Sequence, residues 1–86
     1  MRILTHKKFD KAFKMMQPKL QAKFYYQLAL FQRNKTDKQL NNHALTGEYL
    51  GYRSFDVTGD IRTIFEEIDV ETIKLVNIGT HSQLYG

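Results

Sequence analysis

Four side chains in the second half of this 86-residue sequence have the chemistry of a phosphate-ester site: Asp56, Asp60, Arg62 and His81. An arginine can hold a phosphate through two parallel hydrogen bonds and stabilise charge developing on its oxygens. An imidazole titrates near neutrality, so His81 can move protons. Two carboxylates set opposite each other repel, which pushes one of them up toward a catalytically useful range. The same four residues also read as a cross-strand ion-pair network in which Arg62 neutralises Asp60. His43, His81, Asp56 and Asp60 could ligate zinc, but the sequence holds no cysteine and no His-x-x-x-His pair. Metal-free chemistry is the stronger reading. Ser82 adjoins His81 without a nucleophile elbow around it, and there is no glycine-rich phosphate loop. His6, ahead of the first helix, reads as exposed.

Whether these groups meet depends on strand register. Tyr49 to Val57 and Asp60 to Ile68 are rich in aromatic and β-branched residues and read as strands, with Thr72 to Ile78 a third, buried one. Val57-Thr58-Gly59 suits a three-residue hairpin loop with Gly59 left-handed as a bulge. That loop sets Asp56 opposite Asp60 and Ser54 opposite Arg62. A turn at Asp69-Val70-Glu71 sets Asp60 opposite Thr80, with His81 beside it. Along the middle strand Asp60, Arg62 and Ile64 share one face; Ile61, Thr63 and Phe65 share the other, which is the better core face. The candidate groups should therefore look away from the helices at one end of the sheet.

The first half supplies those helices. Phe9, Ala12, Phe13 and Met16 form an apolar stripe, and Leu20, Phe24, Leu28 and Phe31 form another after Pro18, which can open a helix running to about Arg33. The break at Gln17-Pro18 predicts an αα-hairpin, and Arg2-Ile3-Leu4-Thr5 an edge strand. The order is β-α-α-β-β-β: an α+β domain over residues 1–86, with an antiparallel sheet packed on a helical hairpin. Splitting so short a chain would leave each half too little core. Residues 1–40 carry ten Lys/Arg and two acids, a balance of +8, and residues 41–86 carry three and seven, a balance of −4. A basic half suggests a polyanion partner, although solvated helix faces give the same count. The longest apolar run is interrupted by Gln27 and too short for a membrane helix, and the N-terminus has no apolar signal core. Without cysteine there is no disulfide framework, and a reducing cytoplasm is the expected compartment.

Four strings together are more specific than any one alone: His43-Ala44-Leu45-Thr46-Gly47-Glu48-Tyr49, Gly51-Tyr52-Arg53, Asp60-Ile61-Arg62-Thr63-Ile64-Phe65, and Gly79-Thr80-His81-Ser82-Gln83-Leu84-Tyr85. In these the chain resembles the RelE/ParE toxin superfamily, in particular its YafQ-like branch. The resemblance implies a toxin of a type II toxin–antitoxin system that cleaves mRNA on the ribosome with no metal or cofactor, the RNA 2′-hydroxyl attacking the adjacent phosphate. His43, Asp60, His81 and Tyr85 match functional positions of the branch, and Arg62 matches the RelE-like arginine at the scissile phosphate. The implied roles are His81 as general acid, Asp60 or an Asp56/Asp60 pair as base with His43 competing, and Tyr85 stacking on a base. Lys7, Lys11, Lys14, Lys19, Lys23 and Arg53 become candidate RNA or ribosome contacts. The implied partners are an antitoxin encoded beside the toxin, ribosome-bound mRNA and, through the antitoxin, operator DNA. Two positions depart from the branch: Asp56 stands where a His is usual, and Ile61 where a Trp is usual. Two alternatives share the fold, a ParE-like non-enzymatic gyrase inhibitor and a weakened relative that only binds antitoxin. The His81-x-x-x-Tyr85 ending favours the nuclease.

Overall fold

Proline lacks the amide hydrogen that a helix interior needs but loses nothing in the first turn. The computed structural model, which describes residues 1–86, begins its longest helix at Pro18. This helix, α2, spans Pro18–Arg33, and the one before it, α1, spans Lys7–Lys14. His6 is exposed as expected, yet it has work to do: its Nδ1 accepts from the Lys8 amide at 3.0 Å and caps α1. Ahead of α1 runs β1 (Arg2–Thr5), and after α2 come β2 (His43–Ala44), β3 (Arg53–Asp56), β4 (Ile61–Asp69), β5 (Thr72–Thr80) and a short helix α3 (His81–Tyr85).

The sheet order is β1-β5-β4-β3-β2. β1 is an edge strand as expected, but it runs parallel to β5, so the sheet is mixed rather than antiparallel throughout. No tight turn joins those two strands, and nothing local forces them antiparallel. The strand expected from Tyr49 shrinks to Arg53–Asp56. A 3₁₀ turn over Gly47–Tyr49 comes first, and Gly47 (φ +66°) at its start and Gly51 (φ +97°) just past it take left-handed backbone.

Two register expectations are overturned. Asp56 lies opposite Arg62, not Asp60, and Ser54 lies opposite Ile64, not Arg62. The hairpin loop is longer than three residues because Thr58 Oγ1 accepts from the amides of both Asp60 (3.2 Å) and Ile61 (2.9 Å). The Ile61 carbonyl accepts in turn from Val57 and Thr58. Gly59 does not take a left-handed conformation there. Between β4 and β5 the turn near residue 70 sets Glu66 against Lys74, but Val76 is an unpaired bulge. Beyond it Ile61, not Asp60, meets Thr80, and Arg62 meets Gly79. The first shift is an even number of residues, so Asp56, Arg62 and Ile64 keep the face expected of them.

The main core lies between the helices and the other sheet face. Phe9, Phe24, Leu28 and Phe31 meet Phe55, Phe65, Leu75 and Ile78 there, with Phe31 5.4 Å from Phe55 and 5.2 Å from Phe65 between ring centroids. Each such ring contributes about 2–3 kcal/mol by leaving water. A smaller core of Leu45, Ile64 and Leu84 occupies the opposite face, with Tyr49, Tyr52 and Val76 around it. It holds α3, a helix not anticipated from periodicity. Its sequence signal is the capping box Thr80-x-x-Gln83.

One polar side chain sits inside the helix layer. Gln27 is buried, and its Nε2 donates to the carbonyls of Asp56 (2.9 Å) and Gln39 (3.2 Å). It thereby pins the end of β3 to the 3₁₀ turn Lys38–Leu40. Replacing Gln27 with Leu should leave two carbonyls without their donor at a cost of about 2–4 kcal/mol. Urea unfolding would measure it, and unchanged stability would show that water satisfies them instead.

Candidate active site

The sheet face away from α1 and α2 is open along Asp56, Arg62 and Gly79, which are consecutive cross-strand neighbours. Arg62 Nε stands 3.8 Å from Asp56 Oδ1, beyond hydrogen-bond length. Neither atom has a hydrogen-bond partner. The pair orients the guanidinium by charge through its buried Nε and leaves the four terminal N–H donors free for an anion. Asn41 Nδ2 reaches the other Asp56 oxygen at 3.5 Å.

On one side stands His43. It pairs with Ser54 across β2 and β3 and so projects on the same face as Arg62. Its Nδ1 lies 2.8 Å from the Asn41 carbonyl. A carbonyl only accepts, so Nδ1 carries the hydrogen and Nε2 of the neutral ring keeps a free lone pair.

On the other side stands α3. Thr80 Oγ1 accepts from the Gln83 amide at 3.1 Å, and Gln83 Oε1 accepts from the Thr80 amide at 2.9 Å. A Cβ at position 79 would meet that Oε1 at 2.8 Å, so the box closes because residue 79 is glycine. His81 is the first residue of α3 and exposed, its ring 4.8 Å from that of Tyr85 one turn later. Tyr85 packs edge-on to Tyr49 at 5.3 Å, and the Tyr49 hydroxyl donates to the Leu84 carbonyl at 3.0 Å. The backbones of β2 and β5 are three strand spacings apart, roughly 14 Å, and His43 is level with Asn77, four residues before His81 along the chain.

The remaining candidates are placed as follows. Asp60 is exposed in the hairpin; the ladder ends at Ile61 and Thr80, so Asp60 and His81 leave the sheet side by side, with no ion pair between them. The expected Asp56/Asp60 carboxylate pair does not form, because Asp56 faces Arg62. No three of the His, Asp and Glu side chains gather as metal ligands would. Arg53 points to the helix side, its Nε donating to Asn42 Oδ1 at 2.9 Å, and is not part of the Arg62 face. Ile61 also lies on the helix side, packed against the main core, so the departure from Trp falls outside that face. Lys7 and Lys14 are exposed on α1. Lys11 and Lys8 line a cleft of about 500 Å³ whose far wall is Gly79 and Gln83, so the basic helix borders α3. Lys19 and Lys23 line a separate groove with Thr58, and Lys23 Nζ stands 4.8 Å over the Tyr26 ring.

Asn41 and Tyr49 were not singled out from the sequence. Nothing in spacing marks Asn41, whereas Tyr49 carries an aromatic signal that a strand reading absorbed. The Tyr49 phenol is pushed above its ordinary 10.0 by burial first, then by the Glu48 carboxylate and Tyr85. The folded state therefore favours the neutral phenol. Its contribution to stability is intact below the ordinary value and is lost as pH rises through the raised one. The stability difference between wild type and Tyr49→Phe should stay constant from neutrality to about pH 10 and shrink above it. Denaturation at a series of alkaline pH values checks this; parallel curves would contradict it.

The sequence matches, over residues 1–86, the family described as a bacterial toxin of type II toxin–antitoxin system, YafQ. A comparison with curated proteins gives no match. Among solved structures, YafQ from E. coli strain BL21(DE3) aligns with a TM-score of 0.81 at 24% identity, covering 100% of both chains. The E. coli DinJ-YafQ toxin–antitoxin complex aligns with a TM-score of 0.79 at 25% identity, covering 98% of this chain and 96% of that one. A YoeB/ParE toxin from Agrobacterium tumefaciens shares the fold with a TM-score of 0.79 at 13% identity, covering 94% and 99%. Matched along its whole length, this chain belongs to the YafQ family of type II toxin–antitoxin toxins.

Proposed function

We propose that this toxin is a ribosome-dependent endoribonuclease that cleaves mRNA by metal-free attack of the 2′-hydroxyl on the adjacent phosphate. The observation that carries the reading is that His43 shares the Arg62 face by strand register and that α3, which opens with His81, packs on the same face through Leu84. In-line displacement needs a proton acceptor and a proton donor on opposite sides of phosphorus. His43 Nε2 takes the 2′-hydroxyl proton as the 2′-oxygen bonds to phosphorus. The P–O5′ bond breaks, and His81 protonates the leaving 5′-oxygen. The products are a 2′,3′-cyclic phosphate and a 5′-hydroxyl end. Arg62 binds the non-bridging oxygens and stabilises their added charge, while Asp56 orients it. Tyr85 offers an exposed ring for an unpaired base, and DNA, lacking the 2′-hydroxyl, is not cleaved. Asp60 at the hairpin is the alternative base.

An acidic antitoxin segment that folds over the basic helices and α3 fits the charge of the first half. The solved DinJ-YafQ complex of E. coli supports an antitoxin partner. Repression at operator DNA would then act through the antitoxin. A ParE-like action on gyrase would use the same fold without needing the two imidazoles; induction would then give DNA breaks in place of mRNA loss.

Arg62→Ala and His81→Ala should each lower cleavage of ribosome-bound mRNA on the order of 10²–10³-fold with the fold and antitoxin binding intact. Asp56→Ala should lose less, since the Arg62 guanidinium is still present and only its orientation is loosened. Full activity in His81→Ala would overturn the assignment. Reversing charge at Lys11 and Lys14 should weaken ribosome binding and flatten its salt dependence. An unchanged salt slope would remove α1 from the interface.

A further inference from the structure

Asn41 is the only residue other than glycine with a left-handed backbone, φ +48°. Asparagine tolerates this region better than most residues but does not need it, so such a conformation has to be held by its surroundings. Here it is held from several directions. The Asn41 amide donates to the Lys38 carbonyl at 3.2 Å, and Asp37 Oδ1 caps the same turn by accepting from the Gln39 amide at 2.9 Å. Leu40, beside it, is fully buried, and the buried Gln27 amide ties the Gln39 carbonyl to that of Asp56.

The backbone reversal at Asn41 has two results. Its carbonyl turns toward the His43 ring and accepts from Nδ1 at 2.8 Å. Its side-chain amide reaches Asp56 Oδ2 at 3.5 Å, the carboxylate whose other oxygen faces Arg62. One residue therefore touches both the imidazole and the carboxylate that orients the guanidinium.

We propose that Asn41 is a positioning residue: its left-handed carbonyl locks His43 in the Nδ1–H tautomer, leaving Nε2 bare to accept a proton, and its side chain ties that ring to the Asp56–Arg62 pair. The proposal rests on the nuclease reading for its catalytic consequence but not for its structural content. The two links can be cut separately. Asn41→Gly keeps the left-handed backbone and its carbonyl and removes only the amide bond to Asp56. Asn41→Val, β-branched, is driven out of the left-handed region and takes the carbonyl away from His43.

The test uses the full chain with ¹⁵N-labelled histidine, followed by NMR at a pH where the rings are neutral, alongside cleavage of ribosome-bound mRNA. Wild type and Asn41→Gly should show His43 protonated at Nδ1, and Asn41→Val should move the proton to Nε2. In cleavage, Asn41→Val should lose kcat on the order of 10²-fold with KM little changed, as for a misplaced general base. Asn41→Gly should recover most of that loss. A valine variant that keeps both the Nδ1–H tautomer and the wild-type kcat would overturn the proposal. So would a glycine variant whose tautomer follows valine. If Asn41→Val does not fold, Asn41→Ala carries the same comparison. Wild-type protein inert on ribosome-bound mRNA would fail the nuclease reading, and the tautomer measurement would still decide the role of Asn41.

Discussion

Val76 has no partner on β4, and that one unpaired residue turns the second half of β5 over. In an unbroken strand the alternation that sends Ile73 and Leu75 to the helices would next send Asn77 there. With the bulge, Val76 and Asn77 both stay off the helix face, Val76 packing near Ile64 and Leu84, and Ile78 joins the main core instead. The same step sets Gly79 opposite Arg62, where a Cβ would push the Gln83 side chain out of its capping box. The direction in which α3 leaves the sheet follows from it, and with that the place of His81. Bulges are common beside functional sites because they re-aim a strand at the cost of one ladder position.

The two faces of the sheet are consequently built on different terms. The helix side is a continuous aromatic core that supplies most of the stabilising burial. The other side has three buried apolar residues with Tyr49, Tyr52 and Val76 around them, a small cluster that does little to hold the polar side chains beside it in one geometry. Order comes from local devices instead: a capping box on α3, a tyrosine hydroxyl on its last turn, and a left-handed asparagine beside β2. Buried Gln27 joins the two sides, since it stands in the helix layer yet fixes the backbone on which Asp56 rides.

Much of this was legible in the residues. Pro18 and the spacing of Leu20, Phe24, Leu28 and Phe31 give the span of α2, and the alternation through Ile61–Phe65 gives the faces of β4. The helices-on-one-face arrangement follows from those two facts. Pairings were less readable, because they turn on single atoms. The Thr58 hydroxyl lengthens the hairpin by accepting two amides and moves Asp56 from Asp60 to Arg62. Gly59 does not fix the loop, since its backbone is not left-handed. The Val76 bulge leaves no local mark, because Leu75, Val76 and Ile78 are apolar and each suits either face of a strand. Among the candidate side chains, parity alone sufficed for Arg62. Arg53 carried a charge that said nothing of direction, and it ended on the helix side.

β1 and β5 are neighbours although almost the whole chain separates them, and β5 lies between β1 and β4. The order of synthesis therefore has a consequence. While a growing chain lacks residues 72–80, β1 has no strand to join, the main core lacks Ile73, Leu75 and Ile78, and the platform under α3 lacks Val76. Closing so long a loop is slow relative to local helix formation. A nascent or prematurely terminated chain can form its helical hairpin but no site. The face that carries Arg62 and α3 is thus completed only once residues 72–85 have been made.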